Sequence, residues 1–114
     1  MHELSIALGI VKIAEEESKK AAARKIVSIE LEIGSMSGIE LDALEFAWPV
    51  AVKDTVLEEA KREIDWVKAK ARCVDCDFEY DVEHSYDNCP ICNSYLKEIY
   101  QGKELRVKSL EIEN

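Results

Sequence analysis

The sequence predicts an α+β fold: two helices packed on a three-stranded sheet, with an inserted zinc-ribbon-like domain. Three observations carry this expectation. Apolar residues recur at helical spacing in two stretches and alternate with period two in three others. All four cysteines fall in one segment poor in aliphatic residues, and strand-like sequence resumes after it. The expected boundaries are residues 1–70 plus 103–114 for the α/β domain and 71–102 for the insertion.

The first helix is read from Leu4, Ile6, Leu8, Ile10, Val11, Ile13 and Ala14, a broad apolar face, and an Ala-rich stretch closes it near Arg24. The next segment, Ile26 to Gly34, switches to period two. Val27, Ile29, Leu31 and Ile33 point one way, and Ser28, Glu30 and Glu32 the other. Gly34 to Gly38 is a loop with two glycines available for positive φ. A second helix runs from about Glu40 to Val52, with Leu41, Leu44, Trp48 and Val52 at helical spacing; Pro49 predicts a kink or an early end. Arg62 to Val67 is a strand with Ile64 and Trp66 on one face. Leu105 to Ile112 is another, and its slip in phase predicts a bulge near Lys108-Ser109.

Composition excludes several function classes. The 114 residues carry 24 acidic and 15 basic side chains, a formal net charge of −9. Nucleic-acid affinity comes largely from clustered Lys and Arg, so no nucleic-acid partner is expected. No apolar run approaches the length of a membrane-spanning helix. Met1-His2-Glu3 lacks the basic segment and apolar stretch of a secretory signal, so the expected location is cytoplasmic. Reducing conditions there argue against structural disulfides. The chain has no phosphate-binding G-x-x-x-x-G-K-[ST] loop, and Glu15-Glu16-Glu17 and Glu58-Glu59 read as solvated charge runs. No catalytic constellation emerges.

Cys73-Val74-Asp75-Cys76 and Cys89-Pro90-Ile91-Cys92 are two C-x₂-C pairs with twelve residues between them. Each pair places two thiolates on one tight knuckle, and two facing knuckles complete a tetrahedron that suits Zn²⁺. With four protein ligands no position is left for an activated water, so the zinc is expected to be structural. A segment of this size cannot order itself by apolar burial, and metal binding would supply its folding free energy. Phe78, Tyr80 and Val82, and then Tyr95 to Tyr100, read as short hairpin strands. The competing readings are two unconnected pairs or a redox dithiol, although a redox site normally shows one pair at a helix N-terminus. His84, between the knuckles, is either a further donor or a solvated loop histidine.

At the N-terminus, a chain that keeps Met1 presents an amine, the His2 amide and the His2 imidazole in succession. The amine and the His2 amide close a five-membered chelate ring, and the His2 amide and Nδ1 close a six-membered one. The Glu3 amide or carboxylate is a further donor. Ni²⁺ and Cu²⁺ favour such nitrogen-rich tetragonal sites. The plainer alternative is an exposed helix start, with Glu3 opposing the helix dipole.

Met1-His2-Glu3-Leu4-Ser5, the strand ending Glu32-Ile33-Gly34, the phrase Leu44-Glu45-Phe46-Ala47, the paired C-x₂-C knuckles, and the ending Gly102-Lys103-Glu104-Leu105 through Ser109-Leu110-Glu111 together resemble the HypA/HybF family over essentially the whole chain. The resemblance implies a nickel metallochaperone, not an enzyme. It implies Ni(II) as cargo at Met1, His2 and Glu3, and structural Zn(II) at Cys73, Cys76, Cys89 and Cys92. It also implies delivery with a HypB-type GTPase toward the [NiFe]-hydrogenase large subunit, with urease maturation proteins as further partners in some organisms. His84 becomes a candidate conditional nickel ligand. Two departures from the family pattern stand out. Trp48-Pro49 interrupts a helix that the family usually continues without proline. Asp77 and Asn93 follow the second cysteine of each pair, where some members place histidines. The alternative function is a zinc-ribbon interaction module without nickel transfer; a redox enzyme using the cysteines is a third class.

Overall fold

The computed structural model describes residues 3–113. Two compact units are present: one comprises Met1–Leu31, Ile39–Asp65 and Arg106–Asn114, the other Glu32–Gly38 and Trp66–Leu105. The cysteine-bearing unit therefore reaches beyond the segment 71–102 marked by its composition.

In the first unit, helix α1 spans Glu3–Lys20 and buries Glu3, Ala7, Ile10, Val11, Ala14 and Ser18. This stripe is narrower than the predicted face. Leu4, Leu8 and Ile13, three of the residues on which the face was drawn, are exposed. Small residues at 7, 14 and 18 form much of the inner seam, so neighbouring backbone can approach closely. The helix stops at Lys20, short of Arg24, because Ala22 turns into the left-handed region at φ 50°. The Ala23 N–H then donates back to the Ser18 carbonyl at 3.0 Å, which satisfies one of the last-turn acceptors.

Helix α2 spans Leu41–Val52 and buries Leu44, Trp48, Ala51 and Val52. Pro49 sits inside it on the exposed side, and the helix runs on past it, so the expected early end does not occur. A carbonyl freed on a solvent face is satisfied by water, which keeps the cost of an interior proline low there. Side chains of α1 tie down both ends of α2. Glu3 Oε2 accepts from the Glu40 N–H at 3.1 Å, and Glu15 Oε1 accepts from the Val56 N–H at 3.2 Å in the turn that follows α2.

Strands β1 (Lys25–Gly34), β2 (Lys61–Val67) and β6 (Leu105–Glu113) form a sheet in the order β2-β1-β6. Arg24 N–H donates to the Glu113 carbonyl and Gly34 N–H to the Glu104 carbonyl, so β1 and β6 run antiparallel. β1 buries Ile26, Ile29, Leu31 and Ile33 and leaves Val27 exposed, which corrects the predicted face by one position. The bonds at the two ends of this pair are offset: ten residues lead from Arg24 to Gly34, nine from Glu104 to Glu113. One residue of β1 is therefore extra, and the broken alternation puts it at Val27-Ser28. β6 also breaks phase where expected, with Lys108 and Ser109 both exposed between half-buried Val107 and Leu110. β2 faces α2 through Arg62, whose guanidinium lies 5.0 Å from the centre of the Trp48 ring and pairs with Glu45.

The second unit contains a sheet in the order β4-β3-β5, built from β3 (Lys70–Cys73), β4 (Glu79–Asp81) and β5 (Lys97–Gln101). Both pairings are antiparallel, with Ala71 opposite Tyr80 on one side and Ile99 on the other. The central strand β3 is absent from the sequence expectation, because alanines carry little strand preference. Its alternation is nonetheless complete: Ala69, Ala71 and Cys73 are each fully buried. Ala69, Ala71 and Val82 form a small core against Met36, Tyr80 and Ile99. Two glycines let backbone pass closely here. A Cβ on Gly34 would lie 2.0 Å from the Gly102 carbonyl oxygen, and a Cβ on Gly102 (φ 109°) would lie 2.3 Å from Ala69 Cα. Gly34 is thus required for close approach, while the positive φ expected in its loop belongs to Gly38, at 86°.

Candidate metal centre

Cys73 closes β3, Cys76 and Cys92 end the two knuckles, and Cys89 begins the second. Their sulfurs lie within 4.8 Å of one another. Cys73 Sγ is 3.5 Å from Cys92 Sγ, and Cys76 Sγ is 3.6 Å from Cys89 Sγ. A tetrahedron with metal–sulfur bonds of about 2.3 Å has edges of about 3.8 Å, so the four sulfurs fit one tetrahedral Zn²⁺. The first cysteine of each pair is buried and the second exposed.

The two knuckles repeat one backbone design. The Cys73 N–H donates to the Phe78 carbonyl at 2.8 Å, and the Asp77 N–H to the Cys73 carbonyl at 3.0 Å. At the same offsets, the Cys89 N–H donates to the Ser94 carbonyl at 2.8 Å, and the Asn93 N–H to the Cys89 carbonyl at 2.9 Å. The residue after the second cysteine must then turn left-handed, and Asp77 (φ 65°) and Asn93 (φ 64°) do so. Asp and Asn tolerate this region better than other side-chain-bearing residues. That is the local reason these two types stand where other members place histidine. Sequence reading missed it, although the signal was present as Asp or Asn four residues after each leading cysteine.

The electrostatics of the thiols also ask for a cation. Desolvation raises the Cys89 thiol, but the amides of Cys92 and Ile91 and the thiols of Cys76 and Cys92 overcome it and bring it down to about 7. The Ile91 N–H lies 3.4 Å from Cys89 Sγ. Cys76 receives the Phe78 amide, yet desolvation and the three neighbouring thiols push it up to about 12. Four thiolates this close repel one another, and a divalent ion at their centre removes the conflict.

The other expected site residues are scattered. Met1 and His2 lie outside the described residues. Glu3 is buried at the start of α1, with its carboxylate on the Glu40 N–H. His84 is in an exposed turn. Its Nδ1 is 3.5 Å from Asp87 Oδ1, and its ring stacks on Tyr86 with centroids 4.8 Å apart. Asp87 holds that turn by accepting from the Glu83 and His84 amides at 2.8 and 3.0 Å. Among the described residues, the cysteine cluster is the one group of three or more His, Cys, Asp or Glu donors arranged to hold a metal, and His84 is not in it. No helix among the described residues is long and apolar enough to cross a membrane.

A family model described as "Hydrogenase/urease nickel incorporation, metallochaperone, hypA" matches residues 1–112. Hydrogenase maturation factor HypA of Parabacteroides distasonis is 43% identical over 112 residues, covering 98% of this chain and 97% of that protein. The HypA of Geobacter metallireducens is 41% identical over 113 residues, covering 99% and 100%. The fold is similar to the solution structure of the Ni metallochaperone HypA from Helicobacter pylori, with a TM-score of 0.69 and 30% identity over 99% of this chain and 98% of that one. The chain belongs to the HypA family of nickel-incorporation metallochaperones for hydrogenase maturation.

Proposed function

We propose that this protein carries Ni²⁺ at its N-terminus, through the Met1 amine, the His2 amide and imidazole, and the Glu3 backbone amide. In this reading the Cys73-Cys76-Cys89-Cys92 zinc is structural, and residues 71–102 form the zinc-binding domain. Nickel passes with a HypB-type GTPase to the [NiFe]-hydrogenase large subunit, and to urease maturation proteins where these exist, in the cytoplasm. The lack of a phosphate-binding loop in this chain agrees with a separate GTPase.

The observation that carries the nickel reading is the placement of Glu3. Its side chain is buried and held by the Glu40 amide, so the residues before it depart from an anchored point. Its carboxylate has a structural task, which leaves the backbone amide as its donor to nickel. The amine is the natural anchor for a metal, because an unperturbed α-amine has a pKa of about 7.7–8.0 and yields its proton to nickel near neutral pH.

Nickel titration by calorimetry tests the proposal on a chain beginning at Met1, a Gly-Ser-extended chain, and His2→Ala. Both changes should remove tight nickel binding and leave zinc content unaltered. His84→Ala should weaken nickel binding less than His2→Ala does. Unchanged affinity in the extended chain would overturn the N-terminal site and return the zinc-ribbon interaction module as the better reading.

A further inference from the structure

Among the described residues β6 lies at an edge of its sheet, with β1 as its strand neighbour. A long open edge is a template for another strand. The charges of β6 are arranged in opposition along it: Arg106 and Lys108 stand in the first half, Glu111 and Glu113 in the second. We propose that this edge seats a second copy of the chain, with the two β6 strands antiparallel about a two-fold axis between Ser109 and Leu110.

In that register Arg106 faces the other copy's Glu113, Lys108 faces its Glu111, and Val107 faces its Ile112. A parallel arrangement in register would set like charges side by side. The register also explains the broken alternation of β6. In a regular strand, two residues opposed across a two-fold must be an even number apart, because side chains alternate between faces. Arg106 and Glu113 are an odd number apart, so a strand that pairs them needs one break at its centre. β6 has that break: Arg106, Lys108, Glu111 and Glu113 are all exposed, while Val107, Leu110 and Ile112 are all half-buried. Each facing pair then shares one face of the joined sheet.

The apolar side is prepared as well. A groove of about 430 Å³ lies between α1 and β6, lined by Ile13, Glu17, Ala21, Val107, Leu110 and Ile112. Ile13 is 46% exposed on its wall. The facing strand brings Val107 and Ile112 to the same side and covers this surface. Lys108 also bridges Glu30 at 3.7 Å and Asp65 at 3.2 Å within the sheet, so Arg106 and Glu113 are the residues to vary. One strand pair with a shallow flank makes a small interface, and the association is expected to be weak and reversible.

The test is sedimentation equilibrium of the full zinc-loaded chain over a concentration series, at low and high salt. The wild type should pass from monomer to dimer with concentration, less readily in salt. Arg106→Glu and Glu113→Arg should each weaken association on the order of tenfold, since each turns two attractive facing pairs repulsive. The double exchange Arg106→Glu/Glu113→Arg should restore it. Independently of any variant, a mixed-isotope sample of the wild type should show intermolecular contacts between Val107 and Ile112 methyls. A chain monomeric at every concentration, a dimer that the double exchange does not restore, or intermolecular contacts mapping elsewhere would overturn the proposal.

Discussion

The carboxylate of Glu3 accepts a hydrogen bond from the backbone N–H of Glu40, a residue 37 positions along the chain, at 3.1 Å. Glu40 is the N-cap of α2 and makes no capping bond with its own side chain. The first residue described in α1 therefore supplies the negative charge that the start of α2 lacks. The helix dipole favours an anion at that place. One side chain thus joins the start of the chain to the frame of the α/β unit, and this bears directly on how Glu3 can serve a metal.

Glu3→Ala should destabilise the protein by about 1–2 kcal/mol, the usual cost of losing a helix-capping group with a buried partner. Glu3→Gln keeps an acceptor oxygen and should cost less. Nickel affinity of the folded Glu3→Gln chain should stay near that of the wild type, because the proposed donor is the backbone amide. Thermal unfolding and nickel calorimetry on the same samples check both parts. Loss of nickel binding in a folded Glu3→Gln chain would assign the carboxylate to the metal.

Cys89→Ala should abolish zinc binding and unfold the β4-β3-β5 sheet. The small core of Ala69, Ala71 and Val82 cannot replace the roughly 10–16 kcal/mol that a structural zinc supplies. Helices α1 and α2 should persist, since their buried stripes and the Glu3 and Glu15 bonds lie in the other unit. Amide NMR spectra with and without a chelator would show signals from residues 70–101 collapsing while those of the helices remain dispersed. Full zinc content in the variant would contradict the four-cysteine assignment.

Zinc uptake should release at least two protons at pH 7. Cys76 is pushed up to about 12 by desolvation and its neighbouring thiols, against the pull of the Phe78 amide. Cys92 has the Ser94 amide drawing it down, but the Cys73 thiol and desolvation leave it raised. Both are protonated at pH 7 without metal, and both must be thiolates to bind it. Zinc affinity should therefore fall as pH is lowered. Calorimetry in buffers of differing ionisation enthalpy counts the protons; a count below two would contradict this ionisation order.

Ala22→Gly should stabilise the chain by about 0.5–1 kcal/mol, because a side chain at φ 50° carries a steric cost that glycine does not. Asn93→Val should do the reverse at φ 64°, costing about 1–2 kcal/mol and loosening the second knuckle, whereas Asn93→Gly should be tolerated. Urea unfolding of the zinc-loaded proteins would rank the three variants. A stabilising Asn93→Val would mean the knuckle does not need the left-handed turn.

The doubled C-x₂-C spacing by itself determined a tetrahedral thiolate site, because two knuckles bring their sulfurs together through short local chain, and the sulfur separations of 3.5 and 3.6 Å agree. Periodicity likewise determined α1, α2, β1, β2 and β6, since each buries one face and local spacing records it. The ends and the exceptions needed the folded chain. The Ala69-Ala71-Cys73 alternation looks unremarkable until Tyr80 and Ile99 pair on either side of it. Pro49 breaks a helix in isolation and is carried here because α2 is held from outside by Glu3 and Glu15 of α1. The role of the Glu3 carboxylate was undecidable from Met1-His2-Glu3 alone, because its partner lies 37 residues away and only tertiary packing brings a buried N–H to a buried charge.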